Sequence, residues 1–483
     1  MRFLSKLKEQ DLRTVFGKTL FRIQQECGAA SLTVKKNMKY VEIQGDTRYP
    51  AVTGGQGQGV FNKAAVLVQN IDSFNGVGED IGNYNLGTDS FGRLRVSAPL
   101  TLFDSTHRYS DNDLWNQTVS VGASSTFMPY KGLINLEVGP LSGSKIYRET
   151  KRVFSYQPGK SLQNLNTFNF SPSATNLRQR IGYFGDDNGI YLELLNDTLF
   201  LVQRTIVTGS IAETRVPQSE WNHDTMDGTG QSGISLDLTK AQIQFIDLEW
   251  LGAGTVRTGF VINGIFQACH YFHHANINQG TYLTTGSLPV RYEIENLGDT
   301  GSNHILNQIC TTVLSEGGYE LRGRQQVAGT EINTPRTLST PAGAFYPVVS
   351  IRLKSTRLDA IVIMTALSIL GDAGGTAFYN WKVTTSGITS GGSWETSDAD
   401  SSVEYNTTGT STSFTEARTL ASGFFSSTNQ AAVPVDILKE ALFKFQLERD
   451  TFTGSTQELS LVVATDSVGA KVFGSMDWEE VSR

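Results

Sequence analysis

The chain reads as mainly β: two β-sandwich or jelly-roll domains preceded by an N-terminal amphipathic helix and an extended arm. Three observations predict this. Glycine supplies 48 of 483 residues while charged residues make up only 18%, a balance that favours short strands joined by tight turns. Residues 242–272, QIQFIDLEWLGAGTVRTGFVINGIFQACHYF, alternate apolar and polar side chains in three runs, the second of which ends at Asn263-Gly264. Asn-Gly is the strongest short-range hairpin signal, because a type I′ turn needs positive φ at both central residues. Strand-like runs separated by turn signals then recur throughout 100–335.

Taken in order, residues 3–25 place Leu4, Leu7, Leu12, Val15, Phe16, Leu20 and Ile23 close to one face of a helix, with Gly17 as its weak point. This helix is the expected assembly element, packing on its own domain or gripping a neighbouring subunit. From 33 to 99 short strand-like pieces alternate with breaks such as the run TGGQGQG at 53–59. So little apolar surface per residue predicts an arm ordered mainly by contact with something else.

The first sandwich is expected over 100–335, with strands at 132–138, 146–156, 180–184, 190–195, 199–206, the meander, 290–295 and 304–314. Two packed sheets would bury the alternating face of Ile190, Leu192 and Leu194. A shift to Gly, Thr and Pro around 327–344 marks a linker into a second β-domain, 336–483. Its strands are expected at 348–353, 359–369, 377–383, 402–406 and 459–464. Residues 434–447 read as a helix, and the Ser/Thr/Gly-rich stretch 384–415 as long exposed loops.

Composition excludes several classes of function. A net charge of −7 argues against a surface selected for nucleic acid or anionic membranes. Cys27, Cys269 and Cys310 are too few and too scattered for a disulfide framework, which points to folding in a reducing cytosol. The N-terminus has no continuous apolar h-region, and the longest apolar run, 360–370, is far short of the roughly 20 residues a spanning helix needs. A soluble protein is expected, with no membrane insertion.

Cys269-His270-Tyr271-Phe272-His273-His274 offers metal-type side chains, but on a strand Cys269 and His273 share one face and His270 and His274 the other, each pair about 13 Å apart. One zinc ion cannot span that. Asp186-Asp187-Asn188-Gly189 reads as a turn selected for positive φ; two carboxylates are too few for calcium. The pairs Asp247/Glu249 and Glu293/Glu295 share a strand face, which suits a glycosidase dyad but equally a solvent-facing row. No nucleophile elbow, H-E-x-x-H, P-loop or dinucleotide fingerprint accompanies them, so neither an enzyme nor a cofactor is indicated. Tyr183, Tyr191, Trp221, Trp250, Trp381 and Trp394 could stack on sugar rings if exposed; packing in a core or interface is the plainer reading.

The strings DSFGRLRVSAPLTLFD (89–104), GYFGDDNGIY (182–191), LPVRYEI (288–294) and YPVVSIRL (346–353) resemble virion structural proteins of tailed bacteriophages, notably marine and cyanobacterial ones. The similarity runs over about 85–483 and carries no catalytic residues with it. Residues 245–264 also look like a concanavalin-type or laminin-G-like jelly roll, which bears on fold and not on sugar binding. The resemblance implies a virion component that contacts other virion proteins and carries no active site; a homo-oligomer is expected because closed symmetry is the rule for soluble oligomers and a long arm could wrap a neighbour. A tail, baseplate or fibre position facing host-surface glycan is expected. Capsid decoration, or a glycan-binding or glycan-cleaving tail protein, are the alternatives.

Overall fold

The computed structural model describes residues 20–21, 23–26, 29–35, 40–45, 98–317, 323–339, 343–413, 418–428, 446–447, 449–451 and 454–482. The chain divides into a unit Met1–Val96 and a unit Ser97–Arg483. In the first unit the strands β1 (Leu20–Phe21), β2 (Ile23–Glu26), β3 (Ala29–Lys35) and β4 (Tyr40–Gly45) form one sheet in the order β1-β4-β3-β2.

These strands correct the expected N-terminal helix at its last turn. Ile23 pairs with Leu32 and Glu26 with Ala29, so Leu20 and Ile23 lie in extended chain. A short apolar stripe fits either period, and pairing with the next strand decides it. Leu4, Leu7, Leu12, Val15 and Phe16 lie outside the described residues, as does the Gly-rich run 53–59.

The second unit begins with a sandwich. One sheet holds β17 (Ile265–Phe272), β16 (Val256–Ile262), β15 (Gln242–Leu248), β10 (Leu162–Asn169), β19 (His304–Ser315), β8 (Leu133–Val138) and β7 (Ser124–Met128) in that order, with β5 (Leu100–Thr106) also paired to β19. The other runs β14 (Ala212–Pro217), β13 (Thr198–Thr205), β12 (Gly189–Leu195), β11 (Leu177–Phe184), β18 (Val290–Asn296), β9 (Lys145–Thr150), β6 (Trp115–Val119). Ile181, Ile190, Leu192 and Ile294 from this sheet meet Ile134, Leu136, Phe168 and Leu248 from the first in one buried core. Each fully buried aliphatic chain contributes about 1.5–3 kcal/mol, so this core carries the sandwich. The meander is as expected: Asn263 and Gly264 have φ of 54° and 80°, and the turn joins β16 to β17.

The C-terminal body is a second pair of sheets. Strands β26 (Val403–Asn406), β22 (Tyr346–Leu353), β29 (Glu458–Thr465), β24 (Phe378–Thr385) and β28 (Arg418–Ser426) form one. The other centres on β30 (Lys471–Ser482), flanked by β20 (Arg324–Gly329), β21 (Arg336–Thr337) and β23 (Ile361–Asp372). Its core places Val362, Met476 and Trp478 with Ile351, Leu461 and Trp381. The stretch 384–415 is not wholly loop, since β25 (Ile388–Ser390) pairs with β27 (Ser411–Ser413). Of the helix expected at 434–447, residues 434–445 lie outside the described residues, and Gln446 forms a β-bridge to Ile363. Leu447 donates to the Val362 carbonyl, so this end of the segment is held by a strand edge instead of its own turns.

Candidate functional site

The outer face of the seven-stranded sheet carries alternating charges in rows across the strands. Glu149 on β9 stands in register with Arg291 on β18, and the two form an ion pair. Arg291 Nη1 also reaches Asp186 Oδ1, on the turn between β11 and β12, at 2.7 Å. One row along, Glu293 binds Arg180 at 2.5 Å and Lys145 at 2.9 Å; one further, Glu295 pairs with Arg178. Toward β14, Glu193 faces Arg215 at 3.2 Å, and Arg204 and Arg215 each hold Glu213 at 2.7 Å. The aromatic rings of Phe184 and Tyr191 pack together at 4.5 Å, with the guanidinium groups of Arg180 and Arg204 over them.

This corrects the reading of Glu293 as part of a solvent-facing row. It is 1% exposed, because Arg180, Arg291 and Lys145 close over it. Burial works against its charge, but the cations, Arg180 foremost, win and hold the carboxyl at about 2. At Glu149 the balance is reversed. Burial pushes that carboxyl from its ordinary 4.5 up to about 7 despite the Arg291 guanidinium. Burial likewise raises Glu193.

Glu149 and Arg291 form the floor of a cleft of about 950 Å³ between the sandwich and the C-terminal body. The sandwich wall is made by Asp186-Asp187-Asn188, Tyr156, Trp250 and the loop from Thr284 to Pro289; the opposite wall by Ser355-Thr356-Arg357-Leu358-Asp359-Ala360, Arg449 and Thr451. Two cross-ties fix the walls. The Thr451 hydroxyl donates to the Thr150 carbonyl at 2.9 Å, and Arg418 meets Asp113 at 2.8 Å. Asn188 braces its loop by donating to Thr284 Oγ1 at 2.7 Å and accepting from the Thr284 N–H at 3.2 Å. Its turn is therefore shaped by side-chain contacts, and Asp186, Asp187 and Asn188 do not adopt the positive φ expected of them. Trp250 stands edge-on to Tyr156 at 5.8 Å and donates from its indole to the Leu283 carbonyl.

The remaining candidates are dispersed. Asp247 and Glu249 line a separate depression of about 350 Å³, where Arg257 holds Asp247 at 2.6 Å and Glu249 accepts from the Thr255 N–H at 3.3 Å. The Cys/His cluster does not keep the strict strand alternation. Register steps from Thr258↔His270 to Gly259↔Ala268, so Cys269 is the extra residue of a bulge and both Cys269 and His270 are buried. Cys269 Sγ sits 3.2 Å from Met226 Sδ, and burial pushes its thiol well up. His274 is bonded at both nitrogens, to the Gly254 carbonyl at 2.6 Å and to Gln203 at 2.8 Å, and stacks on Tyr282. His273 instead faces Thr255. Among the described residues no three His, Cys, Asp or Glu side chains gather as a metal-binding group. Of the aromatics, Tyr183, Tyr191, Trp221 and Trp381 are buried, Trp394 lies 3.9 Å beneath the Arg352 guanidinium, and Trp250 alone lines the cleft.

No family model matches the chain, and no curated protein matches it. Among solved structures it is similar to a prokaryotic β-1,3-1,4-glucanase (lichenase) derived from a mouse hindgut metagenome, at 11% identity and TM-score 0.31, over 44% of this chain and 97% of that one. It is similar to the carbohydrate recognition domain of Emp47p, at 11% identity and TM-score 0.30, over 48% and 100%. It is also similar to the CBM2 module of the evolved Dit of Lactobacillus casei BL23 phage J-1, at 7% identity and TM-score 0.31, over 47% and 100%. At such TM-scores these likenesses carry no argument; the sandwich is read from the chain's own strand order and core.

Proposed function

We propose that this chain is a non-enzymatic structural component of a phage virion, assembled in the host cytoplasm, and that the cleft binds host-surface glycan. One observation carries the glycan reading. The cleft is walled by hydroxyl, amide, carboxyl and guanidinium side chains with one tryptophan, the equipment for holding a polyhydroxylated ligand. The buried carboxyl on its floor, Glu149, is already paired with the Arg291 guanidinium, which favours a structural role over an acid–base one. The virion reading rests on the resemblance of 89–104, 182–191, 288–294 and 346–353 to tailed-phage structural proteins. A tail, baseplate or fibre position suits a glycan-facing cleft better than capsid decoration does.

A cleaving reading has one observation in its favour: Glu149 holds its proton near neutral pH, as a general acid must. The test is a panel of bacterial surface polysaccharides offered to the whole chain and to Trp250→Ala, with retention and reducing ends measured together. The expected result is retention of at least one polysaccharide, weakened tenfold or more in the variant, without new reducing ends. Retention of none would remove the glycan reading. Reducing ends that disappear in Glu149→Gln would replace it with a hydrolase. Labelling of the chain in intact particles at the head instead of the tail would favour decoration.

A further inference from the structure

Four edge strands of the sandwich are treated in two ways. The free edge of β17 is covered: Asn222 donates to the Tyr271 carbonyl at 2.9 Å and accepts from the Tyr271 N–H at 2.8 Å, while the N–H groups of His223 and Asp224 take the Cys269 carbonyl. The edge strand β14 of the other sheet carries Glu213 and Arg215 and ends at Pro217, which has no N–H to offer. At the opposite rim the two sheets end on β7 and β6, joined in sequence and by a hydrogen bond from Ser125 to Gln117 at 2.8 Å. No charged side chain occurs from 114 to 130. Val121 and Tyr130 stand exposed beside the strands, at 72% and 103%. Among the described residues β7 pairs with β8 alone.

A bare, uncharged edge strand is a template for pairing, and proteins that do not use one usually guard it with charge, proline or a covering loop, as this chain does at its other rim. We propose that β7 is a self-association edge, taking the β7 strand of a second copy of this chain, antiparallel across a two-fold axis through Thr126. The occupant follows from charge. A two-fold axis sets a strand against itself, so any charged residue near the axis would face its own like; here there is none. Side-chain direction agrees. Ser125 and Phe127 stand opposite the core residues Leu136 and Ile134 of β8, which leaves Ser124, Thr126 and Met128 on the outer face, where Thr126 meets its symmetry mate. A five-residue pairing is a small contact. It gains strength where copies are already held at high local concentration, as on a particle.

The proposal does not depend on glycan binding. The whole chain and the variants Thr126→Lys and Thr126→Val are examined by sedimentation equilibrium over a range of concentrations, with circular dichroism to verify the fold. Wild type and Thr126→Val are expected to dimerise. Thr126→Lys, exposed in the single chain and therefore folded, is expected to dissociate tenfold or more readily, with part of the loss recovered at high salt as the facing ammonium groups are screened. A wild-type chain that stays monomeric throughout, or a dimer that Thr126→Lys leaves intact, would overturn the proposal. If Thr126→Lys fails to fold, amide exchange at 124–128 in wild type decides: protection that rises with concentration supports the pairing, and protection that does not change overturns it.

Discussion

Strand β18 passes the same seven residues along two different environments, and the contrast explains how this sheet is built. On its inner face Val290, Tyr292 and Ile294 meet hydrocarbon and aromatic surface, and the Tyr292 hydroxyl is bonded to Thr311 Oγ1 at 2.7 Å. Its outer face, Arg291, Glu293 and Glu295, is bonded to charge from β9 and β11. Both faces are largely buried, but they depend on different physics. Apolar packing loses about what the removed atoms contributed plus the cavity left behind, whereas a buried ion that loses its partner keeps its whole desolvation cost.

The largest effect should therefore come from the outer face. Glu293→Gln leaves Arg180 without its carboxylate and is expected to destabilise the sandwich by about 3–5 kcal/mol in denaturant unfolding. Adding Arg180→Met should recover part of that loss, because the orphaned charge goes with it. On the neighbouring position but the other face, Ile294→Ala is expected to cost about 2–4 kcal/mol, with no recovery from any charge substitution. If Arg180→Met failed to rescue Glu293→Gln, the two faces would not differ in kind.

Titration sharpens the comparison further. Glu149 holds its proton up to about 7 in the fold, but releases it near 4.5 when unfolded. The native state therefore binds the extra proton in that window, and the contribution of Glu149 to stability should fall as pH rises from 4.5 through 7, by on the order of 3 kcal/mol. Glu149→Gln should flatten that slope. His107 and His270 act from the other side: burial lowers both to about 4, so stability should fall as pH drops from 6.5 toward 4. The two contributions oppose each other between pH 4.5 and 6.5, so unfolding midpoints of wild type compared with Glu149→Gln across the range separate them. The smallest effect is expected at Asp247→Asn. Its partner Arg257 is half exposed, and the pair should be worth under about 1 kcal/mol.

The apolar half of this comparison was legible in the sequence and the ionic half was not. Alternation at Ile190, Leu192 and Leu194 and the Asn263-Gly264 turn need only neighbours in sequence, and both are found where the pattern puts them. Strand β10, LQNLNTFN, reads poorly as a strand because asparagine disfavours one, yet it lies at the centre of its sheet, where Asn164 and Asn166 face the core and bond each other. The cleft floor depends on partners 142 and 105 residues from Arg291, a distance at which composition is silent. A hint was available in RYEIE, 291–295, where Glu293 and Glu295 match the spacing of Arg180 and Arg178 with opposite sign. Charged residues at every second position of a strand with an apolar opposite face suit solvent and a paired sheet equally, and only the register distinguishes them.

Under the proposed function the cleft holds a polysaccharide without cutting it, with the Glu149 carboxyl and Asp186 both engaged by Arg291. The most direct test is to incubate the whole chain with a surface polysaccharide that it retains and to compare the polymer's length distribution before and after. An unchanged distribution with the chain still bound is expected, and loss of binding in Trp250→Ala. Shortened polymer from wild type, and full-length polymer from Glu149→Gln, would contradict it.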